Sequence, residues 1–207
     1  MNKLTLTLCI LTLGSSTAFA ASTDLKGDIA AGQAKSALCI ACHGPNGQGG
    51  PNPLWPKLAG QHASYIVQQL NNFKAQDRQE PTMSPMAAPL TEQEVHNLAA
   101  YFESQTPKIG SANQEWLEQG QKIYRGGNKE TSVVACIGCH GPQGRGNPAA
   151  KYPAINGQNA QYMLKQIKDY KNGIRKPKGN AVIMRDIAVN MSETEMEAVT
   201  NYMQGLY

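Results

Sequence analysis

Aromatic side chains are scarce in this 207-residue sequence, at 6%, and so are long apolar runs. A domain of fewer than 100 residues with few aromatics struggles to bury a sufficient core unless something else supplies apolar mass. The lack of apolar runs excludes a membrane-spanning helix beyond the N-terminus, because a span needs about 20 predominantly apolar residues. One short run exists, Leu4–Leu13, preceded by Lys3 and followed by the small-x-small triplet Ala18–Ala20. That order reads as a secretory signal peptide over residues 1–20, cut before Ala21, leaving a soluble exported chain of 187 residues.

A strong charge of one sign is missing as well. The formal net charge is +4, unevenly placed: residues 21–109 carry 6 Lys/Arg against 7 Asp/Glu, and residues 110–207 carry 12 against 8. Scattered basic residues on an exported chain give no footprint for nucleic acid. The split reads either as ordinary solvated surface or as a charge dipole that orients the molecule toward a partner.

What the sequence does have is a second copy of itself. Cys39–Gly49, CIACHGPNGQG, recurs 97 positions on as CIGCHGPQGRG at Cys136–Gly146. Leu58–Lys74 recurs at the same offset as Ile155–Lys171, and Leu90–Phe102 recurs as Met191–Met203 at an offset of 101. Gly32-Gln33 answers Gly120-Gln121, with nine extra residues before the second cysteines. This predicts two homologous domains, 21–105 and 115–207, joined by a linker over 106–114. In each copy a helix leads into the cysteines and a Gly/Pro-rich loop follows. A second helix starts near Gln61 or Gln158, with Tyr65, Ile66, Leu70 and Phe73 at helical spacing. A proline-rich second loop comes next. A last helix is capped by Thr91 or Ser192, with Glu94 or Glu195 three residues on as in a capping box. No segment alternates as a strand, so the fold class is all-α.

Cys9 leaves with the signal peptide, and the other four cysteines form two C-x-x-C-H sites: Cys39, Cys42, His43 and Cys136, Cys139, His140. Zinc ribbons pair cysteines roughly 15–20 residues apart, whereas these pairs fall one per copy. A thioredoxin-like redox pair expects a βαβ context, which is lacking; that pair and plain disulfides are the other minor readings. Covalent c-type haem attachment explains the whole pattern: the cysteines form thioethers and the histidine faces the iron. Two buried haems would also supply the missing apolar mass.

The repeat identifies a candidate for the sixth iron ligand. At the 101 offset Met83 aligns with Met184, while Met86 aligns with Ile187. Met163, Met191, Met196 and Met203 answer Ile66, Leu90, Val95 and Phe102, and so read as filler. Met83 and Met184 are therefore the expected axial ligands; Met86 is the alternative in the first copy and is expected to pack. His62 answers Asn159 and His96 answers Glu197, which favours surface or helix-packing roles for both histidines. The recurring Tyr65/Tyr162 and Tyr101/Tyr202 read as core aromatics. Methionine opposite histidine raises a haem potential and fills the last coordination position. That favours a single-electron shuttle over catalysis, which needs an open metal position. A dihaem peroxidase-type enzyme and a cytochrome subunit of a larger redox complex are the rival readings.

With both C-x-x-C-H sites, Pro56–Gln61 (PKLAGQ), Pro153–Gln158 (PAINGQ), Ile183–Arg185 (IMR) and the terminal YMQGLY, the chain resembles the cytochrome c4 family of dihaem c-type cytochromes. The resemblance covers the whole mature chain and implies two class I cytochrome c domains related by a pseudo-twofold axis, with haem propionates facing across the interface. It implies that the carbonyls of Pro56 and Pro153 accept a hydrogen bond from the axial histidines. It also implies a periplasmic electron carrier between quinol-oxidising complexes and terminal oxidases, often associated with the membrane. One departure is visible: the loop Ala75–Thr82 is four residues shorter than Asn172–Ile183.

Overall fold

The structure is a computed structural model that describes residues 25–176 and 178–207; the expected signal peptide, residues 1–20 with Cys9, lies outside the described residues. Ten helices are found among them: α1 (Ile29–Lys35), α2 (Ala37–His43), α3 (Ala63–Lys74), α4 (Met83–Ala87), α5 (Glu92–Glu103), α6 (Gln114–Gly126), α7 (Ile137–His140), α8 (Ala160–Lys171), α9 (Ala181–Ala188) and α10 (Glu193–Gln204). The described residues contain no strand, only isolated bridges between Asn128 and Val133 and between Asn147 and Tyr152. The all-α expectation holds.

Each half is organised by one close helix crossing, α1 on α5 and α6 on α10. Glycine makes the approach possible. A Cβ on Gly32 would lie 2.0 Å from the Asn97 carbonyl oxygen, and one on Gly120 would lie 2.2 Å from that of Ala198. The second helix of each repeat packs its i, i+4, i+7 face onto that crossing: Ile66 and Phe73 in α3, and Met163, Ile167 and Tyr170 in α8 are buried. These helices start at Ala63 and Ala160, two residues later than expected from the pattern. Met163, Met191, Met196 and Met203 are all at most 5% exposed, so the methionines assigned as filler do fill the core.

Both capping boxes form. The Thr91 N–H donates to Glu94 Oε2 at 2.9 Å and the Glu94 N–H to Thr91 Oγ1 at 3.2 Å; Ser192 and Glu195 repeat this at 2.8 and 3.2 Å. The two glutamates then diverge. Glu94 pairs with Lys35 at 2.6 Å, whereas Glu195 Oε1 accepts from Asn128 Nδ2 at 2.7 Å and from Thr131 Oγ1 at 3.3 Å. The extra residues of the second copy are thus tied to the carboxylate that the first copy gives to a lysine.

The proline-rich segment corrects an expectation. Its three prolines predict loop, yet Met83–Ala87 is helical. Pro85 is third in that helix, within the first turn, where an N–H has no intrahelical partner to lose. The Glu80 carboxylate accepts from the N–H groups of Thr82 and Met83, both at 2.9 Å, and so satisfies two of the remaining free donors.

The two halves meet in a polar seam with twofold character. Gln61 donates from Nε2 to the Ala154 carbonyl at 2.8 Å and accepts from the Ala154 N–H at 3.0 Å. Gln158 does the same to Lys57, at 2.9 Å for both bonds. One lysine breaks the symmetry: Lys57 Nζ donates to the carbonyls of Gly157 at 2.6 Å and Lys108 at 2.8 Å, tying the connecting segment to the seam. Gln48 holds the same segment through Thr106 and Lys108, and Gly110 donates to the Gln204 carbonyl.

Candidate haem sites

The cysteines and histidines sit where short helices end. Cys39, Cys42 and His43 occupy the last turns of α2; Cys136 caps α7, which carries Cys139 and His140. Gly44 and Gly141 follow, at φ of 77° and 76°, a left-handed conformation that stops each helix directly after its histidine. Cys39, Cys42, Cys136 and Cys139 are not joined in disulfides. Before a haem is attached, burial raises the Cys39 thiol above its ordinary value and pushes Cys136 up to about 11.

Both histidines are buried, and both rings are fixed in the same way. His43 Nδ1 lies 2.7 Å from the Pro56 carbonyl oxygen and His140 Nδ1 lies 2.9 Å from that of Pro153. A carbonyl only accepts, so Nδ1 carries the proton and Nε2 keeps its lone pair. Burial lowers the affinity of both rings for a second proton, more than the proline carbonyls raise it. The product is a neutral, oriented imidazole, the form that ligates a metal.

One continuous cavity of about 520 Å³ is shared by the two halves. Its wall carries every residue that the sequence assigned to the haems: Cys39, Cys42, His43, Pro56 and Met83 from the first copy, and Cys136, Cys139, His140, Pro153 and Met184 from the second. Met86 and Ile187 also reach it. Met86 was expected to pack; it borders the cavity on the same face of α4 as Met83 and is 41% exposed. His96 lies outside the cavity wall, and His62 instead brings Nε2 within 2.6 Å of the Arg145 carbonyl oxygen across the seam.

The tyrosine expectation splits. Tyr101 and Tyr202 are core residues. Tyr65 and Tyr162 are not: they belong to a cross-domain network around two arginines that sequence reasoning missed. Arg78 Nη2 donates to Tyr162 Oη at 3.0 Å and to Gln166 Oε1 at 2.7 Å, and its Nη1 donates to Gln69 Oε1 at 2.9 Å. Arg175 mirrors it, with Tyr65 Oη at 2.9 Å, Gln69 Oε1 at 2.8 Å and Gln166 Oε1 at 2.9 Å. Each guanidinium stacks on an aromatic ring of its own half, Phe73 at 4.6 Å and Tyr170 at 4.5 Å. The signal was present: Arg78, Gln69 and Tyr65 recur at the 97 offset as Arg175, Gln166 and Tyr162. Among the described residues no carboxylate pairs with either arginine.

These features fit the group that C-x-x-C-H implies. The cavity lies within the range of ligand sites, about 300–1,000 Å³. It offers two thiols and one oriented imidazole per copy, and its cationic wall lacks an anion that a carboxylate-bearing haem brings with it. The comparisons agree. The cytochrome c family matches residues 29–106 and 117–207. Cytochrome c4 of Azotobacter vinelandii is 42% identical over 217 residues, covering 100% of both chains. The crystal structure of reduced recombinant cytochrome c4 from Pseudomonas stutzeri superposes with a TM-score of 0.84 at 41% identity, over 87% of this chain and 100% of that one. A thiosulfate dehydrogenase electron acceptor of Thiomonas intermedia is 36% identical over 183 residues, covering 84% of this chain and 81% of that one. The chain belongs to the cytochrome c4 family, as a dihaem electron-carrier cytochrome whose two cytochrome c domains each hold one covalently bound haem c.

Proposed function

We propose that Cys39 and Cys42 hold the first haem and Cys136 and Cys139 the second through thioether bonds, that His43 and Met83 are the axial ligands of the first iron, and that His140 and Met184 are those of the second. The domains run over 21–105 and 115–207, with 106–114 as linker. Bound haem supplies a one-electron couple between ferric and ferrous iron. The protein's part is to fix and enclose it. The Pro56 and Pro153 carbonyls hold each imidazole with Nε2 available and raise its basicity. Met83 and Met184 would hold the irons through their thioethers and raise the potentials. Iron so held would leave no open position for substrate, which supports an electron carrier over an enzyme.

The observation that carries this reading is the repetition of one chemical set in each half: two thiols, an imidazole bound through Nδ1 to a proline carbonyl, and a methionine on the wall of the same cavity. The expected signal peptide supports a periplasmic carrier, and on this reading single electrons would pass from a quinol-oxidising complex to a terminal oxidase. No helix among the described residues is long and apolar enough to cross a membrane, so association with the membrane would be peripheral. The thiosulfate dehydrogenase electron acceptor among the relatives favours a second reading of the donor, a periplasmic dehydrogenase.

Two replacements test the ligands. Met83→Ala leaves the first haem attached but removes its sulfur ligand: the ferric sulfur-to-iron absorption falls by about half, one potential drops, and carbon monoxide gains access to one reduced haem. Met86→Leu, nearly equal in volume, does none of this. If Met86→Leu halves the band and Met83→Ala spares it, the assignment is wrong.

A further inference from the structure

The arginine network has a property that two separate haem domains would not need. Each guanidinium stacks on a ring of its own half but donates to the tyrosine and glutamine of the other. Both Gln69 and Gln166 accept from both arginines, so the two cations are joined through shared acceptors. Arg175 is 8% exposed, and Arg78 is half-buried beside it. Among the described residues no buried side-chain donor is left bare, so hydrogen bonding is complete there while charge is not: two cations meet amide and phenol oxygens and no described carboxylate. The nearest acid in sequence, Asp77, is committed to Lys178 of the other half. Both arginines, both glutamines and both tyrosines lie on the wall of the shared cavity.

Building on the dihaem carrier reading, we propose that Arg78 and Arg175 act as one shared cationic bridge, so that each guanidinium sets the redox potential of both haems and not only that of its own domain. The physical basis is direct. Reduction adds one electron to a haem and lowers its net charge by one, so a nearby fixed cation stabilises the reduced form and raises the potential. Salt screens buried and partly buried charges much less than exposed ones. A cation held at the midline by acceptors from both halves therefore acts on both irons. The same bridge makes the first electron felt by the second haem, because the guanidiniums cannot relax toward one haem without breaking bonds to the glutamines they share. Arg78 and Arg175 are positioning residues for charge, not ligands to iron.

The test is a redox titration of the holoprotein, following each haem separately through the shifted methyl resonance of its own methionine ligand. Arg78→Met keeps an apolar stem over Phe73 and removes the charge; both midpoint potentials should fall. Arg78→Lys keeps the charge and loses the fork; both potentials should stay nearer the parent than in Arg78→Met. A fall confined to one haem, no fall at all, or equal falls in the methionine and lysine variants overturns the proposal, the last because geometry alone would then account for the effect. The haem count by mass and the sulfur-to-iron band should be unchanged in both variants. Loss of either would instead count against the ligand assignment. Should Arg78→Met fail to accumulate, Arg175→Met and Tyr162→Phe carry the same comparison, the phenylalanine variant leaving the charge in place and shifting the potentials less.

Discussion

Replacing Gln158 by leucine should weaken the molecule far more than its position next to a loop suggests. Gln158 is 8% exposed and satisfies both the N–H and the C=O of Lys57, and its Oε1 also accepts from the Asn159 N–H at the start of α8. Leucine fills the space but bonds to none of them. A gap of about 20 Å³ beside Lys57, Gln61 and Ala154 offers partial relief. That is room for about one water. One water cannot restore all the lost bonds, and each buried group left bare costs about 1–3 kcal/mol. The net loss should be about 2–4 kcal/mol, or a fall of roughly 5–15 °C in Tm at about 2–4 °C per kcal/mol for a chain of this size. Thermal melts of the haem-loaded protein read it. Gln61→Leu should act in the same way across the dyad, and the double variant should lose less than the sum, because neighbouring groups in one seam are not independent. A loss under about 0.5 kcal/mol for Gln158→Leu, the range of ordinary surface changes, would refute the reasoning.

Three further outcomes are expected. Gly120→Ala should destabilise by about 1–3 kcal/mol, since the new Cβ would sit 2.2 Å from the Ala198 carbonyl oxygen. Gly138→Ala, with open space around it and Ala41 in the matching position of the first copy, should be neutral or stabilising; melts of the two variants side by side separate close approach from helix propensity. Glu94 is held at about 2, below its ordinary 4.5, chiefly by its bond to Lys35 and then by the Thr91 N–H. A depressed folded value means that its contribution is present above the ordinary value and is lost as pH falls toward about 2. Glu94→Gln should therefore be less stable than the parent at pH 6, with the difference closing on acidification, and a difference independent of pH would assign the effect to packing.

The proposed haem-facing residues are legible because they are local or repeated. C-x-x-C-H lies within a single helix end, each capping box spans four residues, and duplication singles out Met83 as the methionine whose counterpart, Met184, keeps its sulfur. The seam was harder to read because its bonds join residues 83 to 110 positions apart. Polar side chains at a domain interface leave no trace in hydrophobic periodicity. Tyr65 was placed in the core because an aromatic on a helix face is apolar in pattern, yet its hydroxyl is the part that matters. Arg78 escaped because the repeat was followed only as far as Lys74 and Lys171. Extending it by four residues pairs Arg78 with Arg175. The helix at Met83 was missed because three prolines outweighed the one positional detail that decides it, that Pro85 falls within the first turn.

The connecting segment between α5 and α6 has a thermodynamic consequence. A short tether holds two surfaces at an effective concentration on the order of 1 mM. Were the seam's affinity between separate halves as weak as about 1 μM, the joined halves would still be closed for all but about one part in a thousand of the time. Covalent connection thus removes the need for a large apolar interface between the haem domains. It leaves the seam free to be built from amides, phenols and guanidiniums, groups whose first property is how they orient charge and not how much surface they bury.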